Sequence, residues 1–171
     1  MKLDKKSAEL NIAETSINDM IGLILKRLRP IAESNSVEMV FESEREVIGR
    51  VDDVKLTLAL TNFMENAIKY NKEGGNVYIT LDCDYQFFTV TVKDTGIGIP
   101  EEAYEHIFER FYRVDKSHSR EIGGTGLGLA ITKSAVLKHH GAIRVYSREG
   151  EGTTFTVRIP LHYEPKEEET T

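Results

Sequence analysis

Two glycine runs, in a fixed order and with charged and aromatic residues between them, constrain this chain more than any other feature. The first reads DTGIGIP at 94–100 and the second GGTGLGLA at 123–130. Upstream, NFMENAIKY at 62–70 holds two asparagines four residues apart, and FERFYR at 108–113 lies between the glycine runs. One glycine-rich loop says little, because glycine also serves ordinary turns. Four ordered motifs of this kind within about half the chain point to a nucleotide site.

Bulk composition narrows the alternatives. At 171 residues, 40% hydrophobic and 29% charged, the chain has the size and balance of one soluble globular domain with a real core. The net charge is −6, and the tail 164–171 holds four Glu and one Lys, hence −3 of it. That tail reads as disordered, and the nearly balanced body argues against a nucleic-acid binder held by a basic face. A single cysteine, Cys83, leaves no internal disulfide framework and fits a reducing compartment. No apolar stretch approaches the roughly 20 residues needed to cross a bilayer, and the N-terminus has no apolar signal core. The expectation is a cytoplasmic domain without membrane contact of its own, cut from a membrane-anchored protein.

Residues 1–15 read as a linker running into a short edge strand around 9–13. Ser16 is a candidate N-cap, with Asp19 placed as in a capping box, for a helix to about residue 34 that Pro30 should bend or shorten. Strands are expected at 37–42, by alternation, and at 47–51. Asp52 and Asp53 offer caps for the helix that carries the asparagines. Two strands then turn about Asp84 and Tyr85. Val77, Ile79, Leu81 and Cys83 share one face of the first, and Phe88, Val90 and Val92 one face of the second. Pro100, Glu101 and Glu102 suit the first turn of a short helix, and 114–124 reads as a long mobile loop. A helix over about 125–140 closes at Gly141, with His139 and His140 as a C-terminal pair favoured by the helix dipole. A last strand pair holds Ile143 and Val145, then Phe155, Val157 and Ile159, about the turn 150–152. The expected class is α+β: a two-layer sandwich of a mixed, mostly antiparallel sheet with helices on one face and a mobile lid. Its domain spans 16–162, with the acidic tail at 163–171.

On the asparagine helix, Leu56, Leu60, Phe63, Met64, Ala67 and Ile68 fall on one side, and Asn62, Asn66 and Lys69 in a narrow arc on the other, with Glu65 nearby. A solvated face is the bland explanation. Asparagine, however, is a poor helix former that belongs at caps, and two in mid-helix call for a role. Carboxamide oxygens suit Mg²⁺, which keeps most of its waters and bridges phosphates, and Lys69 could meet phosphate as a point charge. Asp94 continues the even-numbered, core-facing side of its strand, where an unpaired carboxylate is costly. Thr95, Gly96, Ile97, Gly98 and Ile99 supply a hydroxyl, backbone freedom and apolar walls, which suits a flat ligand with an exocyclic amine such as adenine. The alternative is a strand-end Asp capping its own turn. Gly123, Gly124, Gly126 and Gly128 open a helix and offer backbone N–H groups to phosphate. The loop before them carries Arg113, Lys116, His118 and Arg120, as a lid over a triphosphate would. Of its arginines, Arg113 suits the γ-phosphate and Arg110 a structural ion pair.

Over roughly 35–162 the chain resembles the ATP-binding catalytic domain of sensor histidine kinases. That family's N, G1, F and G2 boxes correspond to NFMENAIKY, DTGIGIP, FERFYR and GGTGLGLA. The wider group that includes Hsp90, MutL and gyrase ATPases shares the Asn, Asp and glycine elements but not FERFYRVDKS. The resemblance implies a Bergerat fold binding ATP and Mg²⁺. Asn66 would hold the metal, Asp94 the adenine amine, and Lys69 and Tyr70 would line the nucleotide. Gly96, Ile97, Gly98, Ile99, Lys116, Gly124, Thr125, Gly126, Leu127 and Gly128 would complete the pocket. The catalytic pair would be Arg113 and Asn62, the latter where the chaperone branch has a water-activating glutamate. The family's phosphoacceptor is a histidine followed by an acidic residue and Thr-Pro on a helical hairpin, and His106, His118, His139, His140 and His162 all lack that context. The expected partners are therefore a histidine-bearing dimerisation hairpin of the same kinase, outside this chain, and a response regulator. The domain alone should be monomeric and should not label itself. Two other readings keep the fold: a serine kinase of the anti-sigma-factor type, and a module that senses nucleotide without transfer.

Overall fold

A computed structural model of the chain describes residues 10–99 and 128–163. Strand β1 (Ile12–Ser16) leads directly into helix α1 (Ile17–Ser34). The Ser16 hydroxyl accepts from the Asp19 backbone N–H at 3.2 Å, which satisfies one of the donors a helix start leaves unpaired. Ile17, Met20, Ile21, Ile24, Leu25, Leu28 and Ala32 form the buried stripe, spaced at three and four residues as one helical face requires. Pro30 does not shorten this helix, and α1 runs four residues past it to Ser34, the end the sequence suggested. The reason is its position: Pro30 and Lys26, whose carbonyl loses its donor, both lie on the exposed face, where water can serve that carbonyl.

Strand β1 sits later than the expected 9–13 and pairs antiparallel with β3 (Ile48–Asp52) in a separate two-stranded sheet. Arg50 ties that ribbon to the main body, its N–H donating to the Leu161 carbonyl at 2.8 Å. The main sheet has strand order β2 (Glu38–Ser43), β4 (Asn76–Cys83), β5 (Phe87–Asp94), β7 (Gly152–Pro160) and β6 (Ala142–Arg148). Only β2 and β4 run parallel, so the sheet is mixed and mostly antiparallel. Asp84 makes the β4–β5 turn, its Oδ1 accepting from the N–H groups of Gln86 and Phe87, both at 2.7 Å.

Helix α2 (Asp53–Lys69) and helix α3 (Gly128–Lys138) join α1 on one face of this sheet. Met39, Val77, Ile79, Leu81, Phe88, Val90, Val92, Phe155, Val157 and Ile159 point into that layer. The opposite face carries Tyr78, Thr80, Lys93, Arg144, Tyr146 and Arg158, all exposed. The Phe63 and Phe155 rings join the layers at a centroid distance of 4.8 Å. Burying one such side chain contributes about 1.5–3 kcal/mol, so the period-two strands and the helical stripes together fix the α+β layering. Cys83, which the alternation would bury, is half-buried at the end of β4.

Candidate nucleotide site

The apolar stripe of α2 determines what its other flank can present. Leu56, Leu60, Phe63, Met64, Ala67 and Ile68 are buried, as the helical period predicts. That rotation leaves Asn62, Glu65, Asn66 and Lys69 half-buried along one side. Asn62 Nδ2 donates to Thr132 Oγ1 of α3 at 3.3 Å. The Asn66 carboxamide forms no hydrogen bond to the described residues, while its backbone carbonyl accepts from Tyr70 N–H at 3.0 Å. Lys69 closes the last turn, and Tyr70 is the C-cap.

Asp94 ends β5 on the core side, as its even-numbered position requires, and is 7% exposed. Its Oδ1 accepts from Gly96 N–H at 2.9 Å and from Thr153 N–H at 3.3 Å. Among the described residues Oδ2 accepts nothing. Burial dominates the two bonds and pushes the carboxyl up to about 6. The turn-capping role is therefore real but uses one oxygen, and the second remains for a donor from elsewhere. Thr95 does not supply it. Its hydroxyl accepts from Asn76 N–H at 2.9 Å and faces Asn71 Oδ1 at 3.2 Å.

The first glycine run is clamped by protein backbone on both sides. A Cβ on Gly96 would strike the Tyr70 carbonyl, and one on Gly98 (φ +76°) would strike the Arg148 carbonyl. These two glycines therefore let backbones approach closely, whatever else they contact. Ile97 N–H donates to the Tyr70 carbonyl at 3.1 Å, which fastens the loop to the end of α2. On its other side, the Ile97 carbonyl accepts from Gly150 N–H at 2.8 Å, and Ile99 N–H donates to Ser147 Oγ at 2.6 Å. Ile97 is exposed and Ile99 half-buried, so the loop that follows Asp94 presents some apolar surface.

Ser147, Gly152 and Thr153 were not legible as site residues. The turn at 150–152 reads as an ordinary hairpin, yet it brings Thr153 N–H to Asp94, and a Cβ on Gly152 (φ +127°) would strike the Asp94 carbonyl. A weak signal existed: Gly152 and the hydroxyl residues after it stand where the edge-side strands meet the glycine loop. His139 departs from expectation in part. It stands just past the end of α3, as expected, but is buried at 1% exposure, which disfavours the charge a helix dipole would support. Its Nδ1 donates to the Ala135 carbonyl at 2.8 Å and its Nε2 accepts from Asp52 N–H at 3.0 Å, so it is a neutral, structural imidazole. Burial is the largest influence and holds its pKa below the ordinary value. Arg113, Lys116, Gly124, Thr125, Gly126 and Leu127, with the lid, the FERFYR segment and the short helix at Pro100, lie outside the described residues. Gly128 is the first residue of α3.

Among the described residues, no group of three or more His, Cys, Asp or Glu side chains could hold a metal ion. The Asn66 carboxamide instead offers a single neutral oxygen. That partial donor set fits Mg²⁺, which takes few protein ligands and shares phosphate oxygens and water. No helix among the described residues is long and apolar enough to cross a membrane.

Comparison with known proteins agrees with this geometry. The profile of the histidine kinase-, DNA gyrase B-, and HSP90-like ATPases matches residues 51–163. The sensor histidine kinase WalK of Bacillus subtilis (strain 168) is 39% identical over 170 residues, covering 98% of this chain and 28% of WalK. The chain thus spans under a third of that relative. The solved catalytic domain of the histidine kinase ThkA superposes with a TM-score of 0.79 at 28% identity, covering 90% of this chain and 97% of that one. ThkA in complex with the response regulator TrrA gives 0.75 at 27% identity, over 91% of this chain and 43% of that one.

Proposed function

This chain belongs to the histidine kinase-, DNA gyrase B- and HSP90-like ATPase family, and we propose that it holds ATP for phosphoryl transfer to a histidine on a helical hairpin outside these residues. Its similarity to WalK and to the ThkA catalytic domain, both of sensor histidine kinases, favours that branch over the chaperones and gyrases. The observation that carries the reading is Asp94: a largely buried carboxylate with one oxygen bonded and the other, among the described residues, open to a donor. The exocyclic amine of adenine is such a donor, and Ile97 and Ile99 are the apolar surface its ring would lie against.

The α2 flank then faces the phosphates. Lys69 and Tyr70 line the nucleotide, and Asn66 supplies a carboxamide oxygen to Mg²⁺. Bound there, Mg²⁺ would supply positive charge against the phosphates during transfer. Asn62 stands where a water-activating carboxylate would favour hydrolysis. A neutral carboxamide cannot act as a strong general base, so the phosphoryl group is kept for an incoming imidazole. Arg113 serves the γ-phosphate, Lys116 the nucleotide from the lid, and Gly124, Thr125, Gly126, Leu127 and Gly128 the phosphate cradle, in this same reading. A response regulator is the downstream partner, as TrrA is found with ThkA. The setting is cytoplasmic.

Calorimetric titration of Mg-ATP into the wild type and into Asp94→Asn tests the site. Binding by the wild type that weakens at least about a hundredfold in the variant is the expected result, since a charge-assisted bond to a buried carboxylate is lost. Equal affinities would refute the adenine contact. Acid-labile phosphate on the acceptor identifies histidine as the target, whereas acid-stable phosphate selects a serine kinase.

A further inference from the structure

We propose that Thr132 of α3 is a positioning residue that sets which end of the Asn62 carboxamide meets the nucleotide site. The proposal deepens the nucleotide reading and rests on it. Thr132 is completely buried (0% exposed) between α2 and α3. Its Oγ1 lies 3.4 Å from the Ala59 carbonyl oxygen and 3.3 Å from Asn62 Nδ2. A hydroxyl has one proton to give. The Ala59 carbonyl can only accept, so that proton is committed to it, and Thr132 can then only accept from Asn62. The carboxamide must present its nitrogen to α3 and turn its oxygen to the opposite side of the group. A side chain 70 positions away in the sequence thereby decides the orientation of the amide.

The surroundings make this more than incidental packing. Thr132 is β-branched and stiff in χ1, and a helical threonine ordinarily returns its hydroxyl to a carbonyl of its own preceding turn. Here the hydroxyl crosses to the neighbouring helix instead. The other buried residues of α3 are the apolar Ala135 and Val136. His139, just beyond the helix, is committed to Asp52 and Ala135. Valine would fill the Thr132 site equally well, so volume does not explain the hydroxyl.

The test compares Thr132→Val, Thr132→Ser and Asn62→Ala, and the Thr132→Val/Asn62→Ala pair, in this chain with a histidine-bearing helical hairpin supplied as acceptor. We expect Thr132→Val to lower kcat about tenfold with KM for Mg-ATP changed less than about twofold, and Thr132→Ser to stay within about twofold of wild type. Thr132→Val should add nothing to Asn62→Ala, because both remove one interaction. Additive losses, or a serine variant as impaired as the valine variant, would overturn the proposal in favour of packing. A silent Thr132→Val beside an impaired Asn62→Ala would overturn this role alone, whereas a silent Asn62→Ala would also overturn the place of Asn62 in the site. Should Thr132→Val fail to fold, hydrogen exchange of the Asn62 side-chain amide in the wild type and in Thr132→Ser decides the matter. Protection in both is expected, and exchange at the solvent rate in either overturns the proposal.

Discussion

Asp52 closes β3 and Asp94 closes β5, and the two are similarly buried, at 2% and 7% exposure. They nonetheless titrate in opposite directions. At Asp52 burial is the largest single influence and pulls the pKa up. The backbone N–H groups of Lys55 and Asn11, with the Lys55 ammonium and His139, together outweigh it and hold the carboxyl below its ordinary 3.8. Both of its oxygens are used, Oδ1 by Lys55 N–H at 3.0 Å and Oδ2 by Asn11 N–H at 2.8 Å. At Asp94 burial prevails, and the pKa rises to about 6. Part of the difference is depth, since protein surrounds Asp94 more completely than Asp52, and the rest lies in the backbone just beyond each strand. Asp52 stands at a helix start, which has N–H groups to spare and a dipole that favours a negative charge. Asp94 stands before a glycine loop whose backbone is largely taken up by Tyr70, Gly150 and Ser147. A carboxylate paired on both sides builds the fold. One paired on a single side is held ready for a ligand at a cost to the fold.

Asp94 is where this contrast is most open to refutation. Asparagine there keeps an acceptor for Gly96 and Thr153 and removes the buried charge. Besides losing ATP, Asp94→Asn should therefore gain as much as about 3 kcal/mol of stability at pH 7.5, from a shift of roughly two pK units. Urea unfolding of the ligand-free protein measures this, and a variant less stable than wild type would contradict the account. Asp52→Ala should do the reverse. Loss of the N-cap and of the acceptor for Asn11 should cost about 2 kcal/mol and leave ATP affinity of the folded protein intact.

Acid dependence separates the same groups. Asp94, with its folded pKa raised, favours the folded state fully below pH 3.8, and that contribution is lost as pH rises through about 6. His139 has the opposite sign: kept neutral by burial, it supports the fold above about 6.5, and that support is lost as pH falls below it. Wild-type stability should accordingly change less with pH below about 6 than either group alone would make it, because the two slopes oppose each other. In Asp94→Asn only the His139 slope remains, and stability should fall on acidification through that range. Denaturation midpoints at several pH values check this, and parallel profiles for the two proteins would remove Asp94 from the explanation. If Asp94 receives the adenine amine as proposed, ATP affinity should also weaken below about pH 6, as its carboxylate becomes protonated.

Much of this contrast was legible in the sequence, and the remainder has a physical reason for being hidden. The period-two pattern placed Asp94 on the core side of β5, and the period-3.6 pattern put Asn62, Asn66 and Lys69 along the flank of α2. Asp52 as a cap followed from its place before a helical stripe. Local patterns carry those assignments because each depends on neighbours within a turn or a strand. Ser147 and Thr153 depend instead on the register of β6 against β7, and Thr132 and His139 on the rotation of α3 against α2. No local pattern encodes either. The cost of Pro30 is hidden for a related reason: it depends on whether the Lys26 carbonyl meets water, which only the packed helix decides.

The smallest expected effect tests whether charge or hydrogen bonding holds Asp52. Lys55 Nζ lies 3.8 Å from Asp52 Oδ2, with the lysine side chain 31% exposed. An ion pair that reaches solvent is screened and must hold a flexible side chain in place, so it contributes about 1 kcal/mol or less. The Lys55 backbone N–H, in contrast, survives any side-chain change. Lys55→Met should therefore lower stability at pH 7 by no more than about 0.5–1 kcal/mol. It should also raise the Asp52 pKa only slightly, which NMR titration of the carboxyl carbon would follow directly. A rise to the level of Asp94 would mean that the ammonium, rather than the two backbone donors, distinguishes one buried aspartate from the other.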